Sequence, residues 1–237
     1  MDAARSLGAA TALVALAAGA LGVGGGLGAD FSVKAVLLFG LLAGLVWWCL
    51  FAPEVPPHPH ARFGSANRVT LLRLGVAALL AALFGEALPP LAVWAVVVLA
   101  TATALLDAVD GPLARRSGLA SAFGARFDME TDALFTLVLC ALVWQAGQAG
   151  PWVLASGLMR YAFVAAALAW PWLASTLPGS RRRQTVCVVQ ITTLIVCLGP
   201  IVPPAMAAAL AAASLVLLTL SFAIDIRFLH RAKPMET

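Results

Sequence analysis

The segment "LLDAVDGPLARRSGLASAFGARFDMETDALF" (residues 105–135) decides the fold, because it concentrates charge in a chain that otherwise avoids it. It carries five of the eleven acidic residues among 237 residues. Hydrophobic residues make up 62% of the chain and charged residues 11%, against roughly 25% charged residues in a typical soluble domain. A soluble globule of this size has too little interior for so much apolar sequence. The composition therefore predicts an all-α, polytopic bundle of membrane helices.

Apolar runs recur along the whole chain, and a helix needs about 20 apolar residues to cross a bilayer. We predict eight transmembrane helices, over 7–28, 34–52, 69–86, 88–109, 128–147, 152–176, 185–202 and 204–225. The proline-rich segment "PEVPPHPHARFGSA" (53–66) predicts a cytoplasmic linker. The expected domains are thus two N-terminal helices in 1–52, the linker 53–66 and a six-helix domain in 67–237.

Lysine and arginine occupy alternate breaks between these runs. One set of breaks contains most of them, namely Arg5, Arg62, Arg68, Arg115, Arg116, Arg126, Arg181, Arg182, Arg183, Arg227, Arg231 and Lys233. The opposite set contains only Lys34. By the positive-inside rule, this asymmetry predicts that both termini and the acidic segment are cytoplasmic, as in a multi-pass protein of a bacterial-type inner membrane. The net charge of +4 is too small to suggest a nucleic-acid partner.

The aspartates of the acidic segment occur in two pairs at helical spacing. Asp107 and Asp110 are three residues apart, and Asp128 and Asp132 are four apart, so each pair shares one helix face. If the two helices are neighbours, four carboxylates converge, and burying them requires a neutralising cation. Oxygen ligands favour Mg²⁺, Mn²⁺ or Ca²⁺. We therefore predict a metal site, from which Glu130 is excluded because it lies on a different helix face.

Small residues and an arginine lie between the two aspartate pairs, at Gly111, Ala114, Arg115 and Gly124. Small residues allow a ligand to approach the backbone closely, and arginine suits a phosphate. Together with the metal site, they predict a pyrophosphate-containing substrate, on which a metal stabilises the charge of the transferred phosphoryl group.

The whole segment follows one pattern, Asp107-x2-Asp110-Gly111-x2-Ala114-Arg115-x8-Gly124-x3-Asp128-x3-Asp132. This pattern resembles the signature of the CDP-alcohol phosphotransferases (CDP-alcohol phosphatidyltransferases), integral membrane enzymes that make phospholipids. The stretch "NRVTLLR" also supplies the family's Asn-x2-Thr-x2-Arg element, as Asn67, Thr70 and Arg73. The resemblance covers residues 67–225 and does not extend to the two N-terminal helices.

The resemblance implies an activity and a set of roles. A CDP-linked lipid, usually CDP-diacylglycerol, donates its phosphatidyl group to an alcohol hydroxyl and CMP leaves, in an enzyme that is a homodimer. Asp107, Asp110 and Asp128 would hold two Mg²⁺ or Mn²⁺ ions on the pyrophosphate. Asp132 would be the general base and a further metal ligand. The implied CDP-binding residues are Asn67, Thr70, Asp110, Gly111, Ala114, Arg115 and Gly124.

The acceptor alcohol depends on arginines outside the acidic segment. Arg160 lies mid-helix, where a charge costs several kcal/mol unless it faces a cavity or a partner. We therefore expect the Arg160 guanidinium either to contact the phosphate of a phosphorylated acceptor or to form a structural ion pair. A second group of basic residues comprises Arg181, Arg182 and Arg183. This cluster either helps to bind the same acceptor or only reflects the excess of basic residues on the cytoplasmic side. The default acceptor is glycerol 3-phosphate, as in a phosphatidylglycerophosphate-synthase-like enzyme.

Two alternative functions stay open from the sequence. In the first, CDP-choline or CDP-ethanolamine donates to diacylglycerol within the same fold. In the second, the acidic segment belongs to a divalent-cation transporter, and Asp132→Asn would then alter metal flux instead of chemistry. Release of CMP distinguishes the enzyme from the transporter.

Overall fold

The computed structural model describes residues 2–51, 63–117, 121–175 and 177–232, with their side chains except those of Phe51 and of residues 108–117. Within these ranges all regular structure is helical. The helices are α1 Asp2–Val23, α2 Gly28–Phe51, α3 Ser65–Ala82, α4 Pro90–Ser117, α5 Ala122–Gln145, α6 Leu154–Ala169, α7 Arg181–Leu198 and α8 Pro204–Arg231. Short 3-10 helices, Pro151–Val153 and Pro171–Ala174, flank α6. The predicted all-α fold is confirmed, and each predicted apolar run overlaps one helix.

Six of the described helices are long and apolar enough to cross a membrane: α1, α2, α3, α4, α6 with the 3-10 turn before it, and α8. The chain is therefore a multi-pass membrane protein. By the same measure α5 and α7 do not qualify. The reason is charge, since α5 contains Asp128, Glu130 and Asp132, and α7 begins with three arginines.

The chain divides into two compact units, with the boundary between Val138 and Leu139 inside α5. In the first unit, α1 and α2 pack on each other, and α3 packs against α1, α2 and α4. Helix α3 is the most buried of the candidate spans. Gly75 allows part of this packing, because a Cβ atom there would lie 2.9 Å from Cγ2 of Val14 in α1 and 3.6 Å from Cε2 of Phe39 in α2.

Polar contacts tie the two N-terminal helices to both ends of α3. At the start of α3, the Asp2 carboxylate accepts a hydrogen bond from the Phe63 backbone N–H at 3.0 Å and pairs with Arg68 at 2.5 Å. Just beyond the other end of α3, Lys34 of α2 forms an ion pair with Glu86. Helices α1 and α2 are therefore an integral part of the first unit.

The second unit contains α6, α7 and α8, of which α7 and α8 pack on each other and α6 packs on α8. Ala207 and Ala211 of α8 are fully buried, as is Leu194 of α7. The Cys197 thiol of α7 donates a hydrogen bond to the Ala207 carbonyl at 3.3 Å. Small residues on α8 thus let the two helices approach closely.

Candidate metal and nucleotide site

A single arginine connects three helices of the first unit. Arg73 lies in the middle of α3 and its side chain is 1% exposed. Its Nη1 atom is 2.7 Å from Oδ1 of Asp107 in α4 and 2.7 Å from Oδ1 of Asp128 in α5. Its Nη2 atom donates to Oδ1 of Asp132, one turn further along α5. These charge-assisted contacts bring α3, α4 and α5 together at one point.

The three carboxylates form a cluster that suits a divalent cation. One oxygen from each of Asp107, Asp128 and Asp132 lies within 4.8 Å of the others. An ion that binds oxygen at about 2.0–2.6 Å reaches ligands up to roughly 5 Å apart, so these oxygens fit a shared ion. Arg73 supplies one positive charge to three carboxylates, which leaves a net negative charge among these four side chains when all are ionised. The helical periodicity in the sequence predicted this convergence, and the structure has it for these three aspartates.

Two further polar side chains predicted for the site lie on α3 before Arg73. Asn67 is 6% exposed and Thr70 is 2% exposed. Both donate hydrogen bonds to the backbone carbonyl four residues earlier, Asn67 to Phe63 at 2.6 Å and Thr70 to Ala66 at 3.2 Å. Spaced by three residues, Asn67, Thr70 and Arg73 share one side of α3.

Gly124 brings the start of α5 against α3. A Cβ atom at Gly124 would lie 2.8 Å from Oδ1 of Asn67, closer than such atoms pack. Ser121, which immediately precedes α5, accepts a hydrogen bond from the Gly124 N–H at 3.0 Å through its hydroxyl. This is the arrangement of an N-cap, which satisfies a backbone donor at the start of a helix. The missing side chain and the cap together fix α5 beside Asn67.

Adding a methyl group at Gly124 is therefore expected to destabilise the first unit. Gly124→Ala forces Asn67 to move, and overpacking of this kind typically costs about 1–3 kcal/mol. The measurement is the midpoint of thermal unfolding in detergent. Gly40→Ala in α2 is the matched control, because a Cβ atom there meets nothing within 4 Å. An equal midpoint for the two variants would contradict the close approach at Gly124.

Four of the predicted site residues lie on α4 outside the described side chains: Asp110, Gly111, Ala114 and Arg115. The backbone of α4 is helical through all four. This agrees with the prediction that Asp107 and Asp110 share one helix face. Their contacts to metal and nucleotide stay predictions. Glu130 is exposed, and the cluster found among the described acidic side chains does not include it.

The sequence pattern predicts no contact for Arg73, although the structure puts this residue at the centre of the cluster. A usable signal was present. Arg73, like Arg160, lies inside an apolar helix, where a charge needs a partner. The nearby acidic segment holds five of the eleven acidic residues, any of which could partner such an arginine.

The arginines predicted to bind the acceptor lie in the second unit. Arg160 is partly exposed on α6, and Arg181 is exposed at the start of α7. Arg182 donates to Oδ1 of Asp225 at 2.5 Å and to the Ser221 carbonyl at 2.7 Å. Arg183 contacts the same Asp225 oxygen at 3.3 Å. Arg182 and Arg183 therefore neutralise an acidic residue of α8, a structural role that the sequence did not predict for them.

Among comparisons with known proteins, one family model matches the part of the chain that contains this site. A family model described as CDP-alcohol phosphatidyltransferase matches residues 63–223, which is more than half of the chain. The matched region begins just before α3 and ends within α8, so it includes Arg73 and the three clustered aspartates. Searches of curated proteins and of solved structures gave no match.

Proposed function

This chain belongs to the CDP-alcohol phosphatidyltransferase family, and from that membership we propose that it transfers the phosphatidyl group of CDP-diacylglycerol to the hydroxyl of a small polar alcohol, releasing CMP. Members of the family are transferases of substituted phosphate groups that act within the membrane. The observation that carries the proposal is the convergence of Asp107, Asp128 and Asp132 around Arg73. Such a site offers both a binding place for metal and a carboxylate for proton transfer.

The family uses divalent metal ions, and the carboxylate cluster has the oxygen donors that Mg²⁺ or Mn²⁺ prefers. We propose that Asp107, Asp110, Asp128 and Asp132 hold two such ions. When bound, the ions would neutralise negative charge on the pyrophosphate and on the departing CMP. The net negative charge of the described cluster supports this assignment.

We assign the proton transfer to Asp132. The acceptor's hydroxyl oxygen forms a new ester bond to the phosphorus that carries diacylglycerol. The phosphoanhydride P–O bond to that phosphorus breaks, and CMP leaves with the bridging oxygen. The hydroxyl proton passes to the Asp132 carboxylate, which has to lie within hydrogen-bond reach of the hydroxyl. Asp132 lies one helical turn from Asp128, so the base and a metal ligand share one rigid element.

For the cytidine diphosphate we propose contacts from Asn67, Thr70 and Gly124, and from the four predicted residues of α4. Asn67 and Thr70 share the side of α3 that carries Arg73, and Gly124, which has no side chain, lets Asn67 lie against the start of α5. The contact between Gly124 and Asn67 holds these groups in one place.

The proposed acceptor is glycerol 3-phosphate, and Arg160 is the first candidate for binding its phosphate. We expect Arg160→Gln to raise KM for glycerol 3-phosphate by about 10–100-fold with a smaller change in kcat, because a charge-assisted contact to phosphate is lost. The KM for an unphosphorylated acceptor should not change. Arg231→Gln, an exposed arginine at the end of α8, is the control. An unchanged KM for the phosphorylated acceptor would remove Arg160 from the acceptor site.

The remaining assignments concern the state of the protein in the membrane. The distribution of Lys and Arg along the chain supports cytoplasmic termini and a cytoplasmic active site in a bacterial-type inner membrane. The family resemblance supports a homodimer. We include both in the proposal.

The experiment that tests the proposed function is an assay of CMP release by the purified chain in lipid nanodiscs. CDP-diacylglycerol and Mg²⁺ or Mn²⁺ are supplied with glycerol 3-phosphate, inositol phosphate, serine or glycerol in parallel, and the lipid product is identified by mass spectrometry. CMP release and a phosphatidyl product with one acceptor support the proposal. Turnover only with CDP-choline or CDP-ethanolamine and diacylglycerol would mean that the donor is the CDP-linked alcohol and the acceptor is diacylglycerol. Metal uptake by vesicles without any CMP release would favour a transporter.

A further inference from the structure

The Arg73 guanidinium and a metal ion require the same space. Nη1 of Arg73 lies 2.7 Å from an oxygen of Asp107 and 2.7 Å from an oxygen of Asp128, and Nη2 contacts Asp132. An ion bound to these oxygens would lie about 2.0–2.6 Å from each of them. A guanidinium nitrogen that contacts two of the oxygens lies in that same position. Arg73 and the ion therefore cannot contact Asp107 and Asp128 through these atoms at the same time.

We propose that Arg73 is the exchangeable counter-cation of the metal site, a positioning residue that holds the three carboxylates together until an ion displaces it. This inference rests on the proposed function, because it takes the cluster to be the enzyme's metal site. It adds a role that the metal ligands do not have. In the metal-free protein, Arg73 reduces the repulsion between carboxylates from α4 and α5. When metal binds, the same contact becomes a cost that the ion has to overcome.

The balance of charge favours exchange in one direction. A single guanidinium faces three carboxylates, and a divalent ion carries twice its charge at a shorter distance. The displaced guanidinium then needs a new anion, because burying an isolated charge is unfavourable, and Arg73 is 1% exposed. The anion that the proposed substrate brings is a phosphate group, which guanidinium binds well. Metal and nucleotide should therefore favour each other's binding through Arg73.

This role differs measurably from that of a simple brace. If Arg73 only held the three helices together, Arg73→Gln would lower both the stability of the metal-free protein and its affinity for metal. If Arg73 is a counter-cation, the two effects have opposite signs. The metal-free variant unfolds at a lower temperature, and it binds metal more tightly than the wild type does. The variant also shows weaker coupling between metal and nucleotide, because coupling between two ligands is reciprocal and requires the shared group.

The test measures Mn²⁺ binding to the chelator-treated, full-length chain in nanodiscs, from the electron paramagnetic resonance signal of free Mn²⁺. The titration is run with and without CMP, and thermal unfolding is followed in parallel. Without CMP, we expect Arg73→Gln to bind Mn²⁺ about tenfold more tightly than wild type. Adding CMP should increase the Mn²⁺ affinity of this variant less than that of the wild type. Arg73→Lys should lie between the two, because an ammonium group cannot bridge three carboxylates as a planar guanidinium does. Should Arg73→Gln fail to fold, Arg73→Lys carries the test.

The matched control is Arg68→Gln, an exposed position on the same helix whose partner is Asp2 and not the cluster. It should bind Mn²⁺ as the wild type does. Unchanged or weaker Mn²⁺ binding by folded Arg73 variants would overturn the counter-cation role and leave the proposed function intact. If the wild type bound no Mn²⁺ with or without CMP, the metal site itself would be wrong, and the inference would fall with it.

Discussion

Replacing Asp132 by asparagine is expected to reduce the rate of CMP release by at least about a thousandfold. General-base catalysis by a positioned carboxylate contributes roughly 10²–10⁴-fold, and the substitution also removes a proposed metal ligand. Asparagine has nearly the same shape as aspartate, so the loss comes from the chemistry of the group and not from packing. The amide cannot take the hydroxyl proton and carries no charge for an ion.

The measurement is single-turnover CMP release with saturating CDP-diacylglycerol and metal, which separates chemistry from substrate binding. Glu130→Gln is the matched control. Glu130 is exposed on the same helix, two residues from Asp132, and this substitution also replaces one carboxylate by an amide. It should keep nearly full activity. Thermal unfolding of Asp132→Asn should show a folded protein, since Arg73 still contacts Asp107 and Asp128. A rate within tenfold of wild type would mean that the base is another group.

Much of this site follows from the sequence because helical spacing is a local property. Asp128 and Asp132 had to share one face once the segment was helical, and a charged cluster in an apolar chain had to be compensated. Three of the four predicted ligands do lie together in the structure. The sequence did not show which group compensates the three carboxylates. Asn67, Thr70 and Arg73 mark one polar side of α3, but spacing within α3 does not say which helices that side faces.

The helix boundaries differ from the prediction for a physical reason. Hydropathy marks the part of a helix that lies in the hydrocarbon core, whereas the helix itself continues until its backbone is capped. Helix α4 was expected to end at residue 109 and continues to Ser117, and α5 was expected from residue 128 and begins at Ala122. At α5 the start is set by the hydroxyl of Ser121, which accepts the Gly124 N–H. As a result, the clustered aspartates Asp107, Asp128 and Asp132 lie within regular helices and not at helix ends.

The two N-terminal helices are held to the rest of the first unit by contacts that the sequence does not predict. The family resemblance does not reach them, and they were expected as a separate domain. The structure joins them to α3 through the contacts of Asp2 with Phe63 and Arg68, and of Lys34 with Glu86. Each contact links residues far apart in the chain, so neither periodicity nor local spacing predicts them. Both helices pack on α3, the helix that carries Arg73.

Removing divalent ions is expected to abolish CMP release while leaving the protein folded. Without metal, the carboxylate cluster and the substrate pyrophosphate repel each other, and nothing neutralises the departing CMP. We expect activity to fall below detection after dialysis against a chelator and to return with Mg²⁺ or Mn²⁺. If two ions act together, as proposed, the initial rate should rise more steeply than in proportion to the free metal concentration.

The fold should survive this treatment because Arg73 already compensates the cluster in the metal-free protein. Helical circular dichroism should stay unchanged, and the unfolding midpoint should rise when metal is added back, since a ligand that binds only the folded state stabilises it. Arg73→Gln sharpens the comparison. Without its counter-cation, this variant should unfold at a lower temperature than the wild type in chelator. Its unfolding midpoint should also rise more than that of the wild type when metal is added. Full activity after exhaustive chelation would rule out a metal-dependent site at these aspartates, whereas loss of helical structure in wild-type protein would show that Arg73 alone cannot hold them together.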